Sequence, residues 1–288
     1  MNRAAHRPRR GGAPFPRAKK QLGQHFLSDA NVVRRIVETI APSPEDTIIE
    51  VGPGLGALTE HLVGRVRRVI GVELDSELHR RLVERFGEKP DAAFLRRDIL
   101  AYDFAGVRDA LVVGNIPYQI TSPLLGHLLA HRQAWRAAWV TMQREVAERM
   151  TAAPDTPEYG RLSCAVQYWT QPRICFRIRP GSFSPPPRVE SVLLHLSRRA
   201  QPAVTVRDEA RFFSVINAAF AHRRKTLLNN LLSLPGWQGR RQALDMVIRA
   251  AGLDPRQRGE TLSLEQFARL SHQLDTVGRR VDGRESAC

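Results

Sequence analysis

The chain has 288 residues, enough for one sizeable domain and a smaller one, and its 42% hydrophobic content is ordinary for a globular protein. Forty-four basic against 29 acidic residues leave a net charge of +15, which points to a polyanionic partner; without a long apolar run or an amphipathic anchor, a membrane is the weaker reading. Three scattered cysteines (Cys164, Cys175, Cys288) and histidines without paired spacing argue against a zinc site or a disulfide framework, so no metal is expected and the setting reads as cytoplasmic.

The first 20 residues are rich in Arg, Pro and Gly and carry no acid. They lack the apolar core of a signal peptide and the serines of a transit peptide, and read as a disordered basic arm. From Asn31 to Ala41, Val32, Val33, Ile36, Val37 and Ile40 fall at helical spacing, with Ser28 or Asp29 as the cap. Strands are then expected at 47–52, 67–73, 92–96, 110–115 and 138–142, with helices at 57–64, 76–86, 122–131 and 143–151. This alternation predicts an α/β fold, a mostly parallel Rossmann-like sheet with helices on both faces. Arg173 to Arg179 and Val189 to Ser197 alternate like strands around a proline-rich turn and can close the sheet as an antiparallel hairpin. Beyond about residue 205 the pattern is wholly helical. Phe212, Ile216, Ala219 and Phe220 share a face, further periodic stretches lie near 240–252 and 263–274, and Gly252 marks a helix stop. The expected division is a basic arm over 1–20, a sheet domain over 21–200, a helical domain over 201–275 and a flexible tail over 276–288.

Chemistry concentrates at the predicted strand ends, where open α/β sheets bind ligands. The strand at Ile48 runs into Gly52-Pro53-Gly54-Leu55-Gly56-Ala57, a glycine turn over which a ligand can approach the backbone. Taken literally this also matches the dinucleotide pattern, a weak signal alone. The next strand ends in Glu73, at the spacing of an acid that grips a ribose diol, and the third leads to Asp98 and Ile99. Each acid taken singly also fits a solvated loop or a helix cap. The fourth strand ends in Asn115-Ile116-Pro117-Tyr118: a carboxamide to accept from an exocyclic amine, a proline to pin the turn and a ring to stack. Together these describe a site for a nucleoside-containing methyl donor beside a pocket for an amino-heterocycle.

Gln24-His25-Phe26-Leu27, the Glu50 to Gly56 loop, Gly114 to Tyr118, Tyr159-Gly160-Arg161-Leu162-Ser163 and the run from Phe183 through Pro185-Pro186-Pro187 to Ser191 occur in an order and spacing that resemble the bacterial ribosomal RNA small-subunit adenine dimethyltransferases. The resemblance covers roughly residues 19 to 275. It implies a class I methyltransferase sheet with a helical C-terminal domain, S-adenosylmethionine as cofactor, and dimethylation of adjacent adenosines near the 3′ end of 16S ribosomal RNA. The expected partner is a pre-30S subunit, and the expected state a monomer. Expected at the cofactor are His25, Leu27, Gly52, Gly54, Glu73 (ribose), Asp98 (adenine amine), Ile99 and Asn115. Asn115, Pro117 and Tyr118 are expected at the target base. Phe183 is expected to close its other face, positioned by the triple proline, although both aromatics also fit a core. Arg17, Lys19 and Lys20, with Arg223, Arg224 and Lys225 at the end of the first C-terminal helix, are candidate phosphate contacts. The rival readings are a large-subunit methyltransferase of the macrolide-resistance type and a non-catalytic ribosome-assembly or transcription factor on the same fold. Asn-Ile-Pro-Tyr is left unexplained by an NAD oxidoreductase.

Overall fold

The computed structural model describes Lys19 and residues 23–285, with side chains as far as Val277. In chain order the first half holds β1 (Phe26–Leu27), α1 (Ala30–Ile40), β2 (Thr47–Val51), α2 (Thr59–Leu62), β3 (Arg68–Glu73), α3 (Ser76–Phe86), β4 (Ala92–Arg96), β5 (Ala110–Asn115), α4 (Thr121–Ala130), β6 (Trp135–Gln143) and α5 (Arg144–Thr151). There follow α6 (Arg161–Trp169), β7 (Thr170–Ile178), β8 (Phe183–Ser184), β9 (Ser191–Arg198), α7 (Glu209–Ala219), α8 (Leu227–Leu231), α9 (Arg241–Ala250) and α10 (Leu264–Glu285).

Seven strands form one sheet in the order β4-β3-β2-β5-β6-β9-β7. β2 to β6 pair in parallel, and β9 lies antiparallel between β6 and β7. Successive residues of a strand serve opposite faces. Ile49, Val51, Val112 and Val140 pack with α4, α5 and Val166 of α6, whereas Ile48, Val69, Leu111 and Val113 pack with Val33, Ile36 and Ile40 of α1 and Leu62 of α2. Burial on both faces is why these strands read as continuous apolar runs. α1 starts where Asp29 accepts the N–H groups of Asn31 and Val32.

A third core gathers α7 to α10 around Phe212, Ile216, Leu244, Ile248 and Phe267, and it also takes in Tyr159, Cys164 and Tyr168. The sheet ends at Arg198 and α7 begins at Glu209. α6 joins the two cores, since Val166 faces the sheet while Cys164 and Tyr168 face the helices. Two buried sides leave no single apolar stripe, so α6 escaped the periodicity. α9 stops as Gly252 suggested: at φ +77° its N–H bonds the Arg249 carbonyl and the Leu253 N–H reaches back to Ile248.

Three expectations are corrected here. α10 continues past position 275, where a flexible tail was expected, with no proline to stop it. β6 starts at Trp135, three residues before the expected strand. The basic run at 222–225 does not end a helix: α7 stops at Ala219, and the run forms the turn before α8. Buried Asn230 staples that turn, donating to the carbonyls of Ala219 at 2.8 Å and His222 at 3.0 Å.

Candidate active site

The parallel strands converge on a cavity of about 280 Å³ bordered by the glycine loop, the ends of β3 and β5, and the segment from Gly23 to Leu27. Gly52 and Gly54 hold φ of +59° and +62°, a region that glycine enters without steric cost. A Cβ on Gly52 would meet no atom within 4 Å, so the loop borders open space. On Gly54 it would lie 3.3 Å from the ring of Phe26, an aromatic on the cavity wall to which the sequence alone assigns no role.

Glu73 is 5% exposed, and its two oxygens accept from the backbone N–H groups of Gly54 and Asp75, both at 2.9 Å. Burial pushes its carboxyl above the usual range, and the two amide bonds act against that shift. Each oxygen keeps further lone-pair capacity for a ligand hydroxyl. Glu50, also on the wall, accepts from the Thr59 hydroxyl at 2.7 Å, and full burial raises its carboxyl to about 7. Asp98 is a turn cap that also borders the cavity. It caps the 3₁₀ turn at Ile99–Ala101 by accepting from Leu100 N–H at 2.9 Å, and Ile99 borders the cavity too.

At the end of β5, the Asn115 Nδ2 donates to the His25 carbonyl at 2.6 Å, while its Oδ1 accepts from the Thr141 hydroxyl at 2.5 Å. Tyr118 lies half-buried beside the His25 ring, with centroids 5.7 Å apart, and its hydroxyl bonds Ser191 Oγ at 2.7 Å. Pro117 borders the same cavity. The 23–27 segment is held from both sides. His25 Nδ1 donates to the Pro185 carbonyl at 2.7 Å, and Gln24 donates to Asp75 at 3.3 Å. Leu27 lines the cavity wall, and β1 pairs with β8.

Not every expected residue arrives. Phe183, expected at the target base, is 4% exposed and packs with Leu27, Val33 and Ile36 in the core beneath α1. It does not border the cavity, because pairing with β1 turns its ring inward. The proline-rich turn meets the site through the Pro185 carbonyl on His25 instead. Lys19, expected to contact RNA, pairs its ammonium with buried Asp75 at 2.8 Å. Arg17 and Lys20 lie outside the described residues. Arg223, Arg224 and Lys225 are all exposed, and Arg223 also bonds the Pro157 carbonyl and pairs with Glu260. Thr141 lies in no local chemical pattern, and Ser191, which closes the proline-rich run, carries no role that the sequence alone suggests. Among the described residues there is no cluster of potential metal ligands and no helix long and apolar enough to cross a membrane.

A sheet with one reversed strand next to its edge, opening onto buried acids and a carboxamide–aromatic loop, defines an S-adenosylmethionine-dependent methyltransferase of class I. The open glycine cradle and the buried Glu73 carboxyl suit that cofactor. The model of the family described as ribosomal RNA adenine dimethylase matches residues 16–275, and the chain belongs to this family. It is 42% identical over 265 residues to the ribosomal RNA small subunit methyltransferase A of Geobacillus thermodenitrificans, covering 89% of this chain and 90% of that one. The protein of the same name from Bacillus mycoides is also 42% identical, with 89% and 91% covered. Among solved structures, a dimethyladenosine transferase from Plasmodium falciparum superposes with a TM-score of 0.78 at 23% identity, over 88% of this chain and 98% of that one. The 23S rRNA methyltransferase ErmE gives 0.68 at 28% identity, over 87% and 99%.

Proposed function

We propose that this protein adds two methyl groups to the exocyclic N6 of adjacent adenosines in a loop near the 3′ end of 16S ribosomal RNA, within a pre-30S subunit, acting as a cytoplasmic monomer. One observation carries the reading: Glu73, Asp98, Asn115, Pro117 and Tyr118 border one continuous cavity. The 42% identity to ribosomal RNA small subunit methyltransferase A of Geobacillus thermodenitrificans supports the choice of RNA.

When bound, S-adenosylmethionine supplies an electrophilic methyl group on a sulfonium. Glu73 accepts from the ribose hydroxyls, charge-assisted bonds of about 1.5–3 kcal/mol each. Asp98 accepts from the adenine amine of the cofactor, with the Ile99 backbone alongside, and Gly52 and Gly54 admit its methionine end. Leu27 and His25 cover it.

The target amine is a poor nucleophile because its lone pair is delocalised into the ring. Asn115 Oδ1 and a backbone carbonyl of Ile116 or Pro117 accept its two hydrogens, which favours a pyramidal nitrogen facing the methyl group. Tyr118 stacks on the base, a contact worth roughly 1–3 kcal/mol. No strong general base is required, since the alkylated nitrogen is acidic and gives its proton to water. Alignment supplies most of the rate. The base must leave its stack to reach the loop, which favours an unpaired adenine. Arg224 and Lys225 contact RNA phosphates without reading sequence.

The test is transfer of labelled methyl groups from S-adenosylmethionine to immature small subunits, with nucleosides resolved by mass. Dimethyladenosine in 16S RNA is the expected product. Methylation confined to large-subunit RNA would favour the resistance-type enzyme, and subunit binding without methylation an assembly factor.

A further inference from the structure

Stacking accounts for a ring at position 118 but not for its hydroxyl. A phenylalanine offers the same face, so the phenol of Tyr118 needs another explanation. Its oxygen lies 2.7 Å from Ser191 Oγ, and Ser191 is fully buried at 0% exposure. A buried hydroxyl needs a partner. The only hydrogen bond that Ser191 Oγ makes among the described residues is this one. Ser191 opens β9, which pairs with both β6 and β7: opposite Ser191 stand Gln143 on one side and Ile178 on the other. The serine is therefore set in the interior of the sheet, on a rigid element, while Tyr118 sits on the short loop after β5.

We infer that Ser191 is a positioning residue for methyl transfer, fixing where the Tyr118 ring lies, and with it the place of the target adenine, through the phenol–serine hydrogen bond. The inference rests on the proposed stacking of the target base on Tyr118. A ring held only at its backbone end can swing between χ1 wells. The hydroxyl lies on the χ2 axis, so a hydrogen bond there stops that swing and fixes where the ring lies, not its rotation about its own axis. The adenine must be presented twice. In each transfer the amine lone pair forms the new N–C bond while the S–C bond breaks, its electron pair returning to sulfur, and one N–H proton passes to water. The second acceptor carries a methyl group and one hydrogen fewer, so fewer hydrogen bonds orient it. A fixed stacking position then matters more for the second transfer than for the first.

Ser191→Ala and Tyr118→Phe, singly and combined, form the test, on full-length protein with immature small subunits. Each single change is expected to lower kcat about tenfold, within the range that misalignment costs. KM for subunits should change less than twofold, S-adenosylmethionine affinity by calorimetry should stay at its wild-type value, and the monomethyl fraction should rise. The double variant should match either single one, because both remove the same bond. Multiplying effects, or wild-type kcat and product ratio in both single variants, would overturn the inference. If Ser191→Ala does not fold, Tyr118→Phe decides alone: wild-type kcat and product ratio refute the role. Tyr118→Ala separates the two levels. Full transfer by that variant would remove the stacking reading itself, whereas its inactivity beside a fully active Tyr118→Phe would remove only the role of Ser191.

Discussion

Asn115 donates through Nδ2 to the His25 carbonyl at 2.6 Å, although 90 positions separate the two residues. A carbonyl only accepts, so this contact sets which way the carboxamide faces. Its oxygen must then point to Thr141, whose hydroxyl donates to it. The loop proposed to hold the target base and the segment that borders the cofactor cavity are thereby one hydrogen-bonded unit. Asn115→Asp would set a carboxylate oxygen against that carbonyl. It is expected to weaken S-adenosylmethionine binding about tenfold or more, whereas Asn115→Ala should lose transfer with a smaller effect on the cofactor. Calorimetry on both variants measures this, and equal affinities in all three proteins would sever the link.

Glu73 joins two backbone donors to the proposed ribose site. Glu73→Ala leaves the buried N–H groups of Gly54 and Asp75 unpaired, at about 1–3 kcal/mol each. Lower thermal stability is therefore expected together with at least tenfold weaker cofactor binding. Glu73→Gln keeps a carbonyl oxygen for one donor and should recover part of the stability. Unchanged affinity in the folded alanine variant would take Glu73 out of the site.

Glu50 makes stability depend on pH. Burial raises its carboxyl from the ordinary 4.5 to about 7. Between those values the unfolded chain has released the proton and the folded one still holds it. The unfolded state binds fewer protons there, so stability falls as pH rises through this window, by at most about 3 kcal/mol. Glu73, also raised, adds to the same direction. Denaturant midpoints of the cofactor-free protein at pH 5 and pH 8 should differ less in Glu50→Gln, which still offers Thr59 an acceptor. An equal difference in both proteins would refute the assignment.

The basic turn divides by partner. All three cations are exposed, but Arg223 is also engaged by Pro157 and Glu260. Replacing Arg224 and Lys225 with alanine should weaken RNA binding and reduce its logarithmic salt slope by roughly 1.5, at about 0.7–0.9 per phosphate contact. Arg223→Ala should lower thermal stability instead, through the lost tie to the 155–158 loop. Filter binding over a salt series distinguishes these, and an unaltered slope in the double variant would remove this turn from the RNA surface.

The α/β alternation, the glycine loop, Glu73, Asp98 and Asn115-Ile116-Pro117-Tyr118 were legible in the sequence because their signals are local. A strand buried on both faces must be apolar throughout, and a tight turn must use glycine or proline. What lay across the fold was not legible. Burial of Phe183 follows from pairing β8 with β1, and Lys19 is engaged by Asp75, 56 positions away. α6 carries apolar groups on two sides, so no single stripe announced it.

By itself, then, the sequence determined which residue types stand at the strand ends, since periodicity and turn chemistry act within a few residues of each other. Only the tertiary structure decided how those side chains are aimed. The carboxamide of Asn115 is oriented by His25 and Thr141, and the phenol of Tyr118 by Ser191. These partners come from the residue before β1, from β6 and from β9, and a hydrogen bond between distant segments leaves no periodic trace in the chain that makes it.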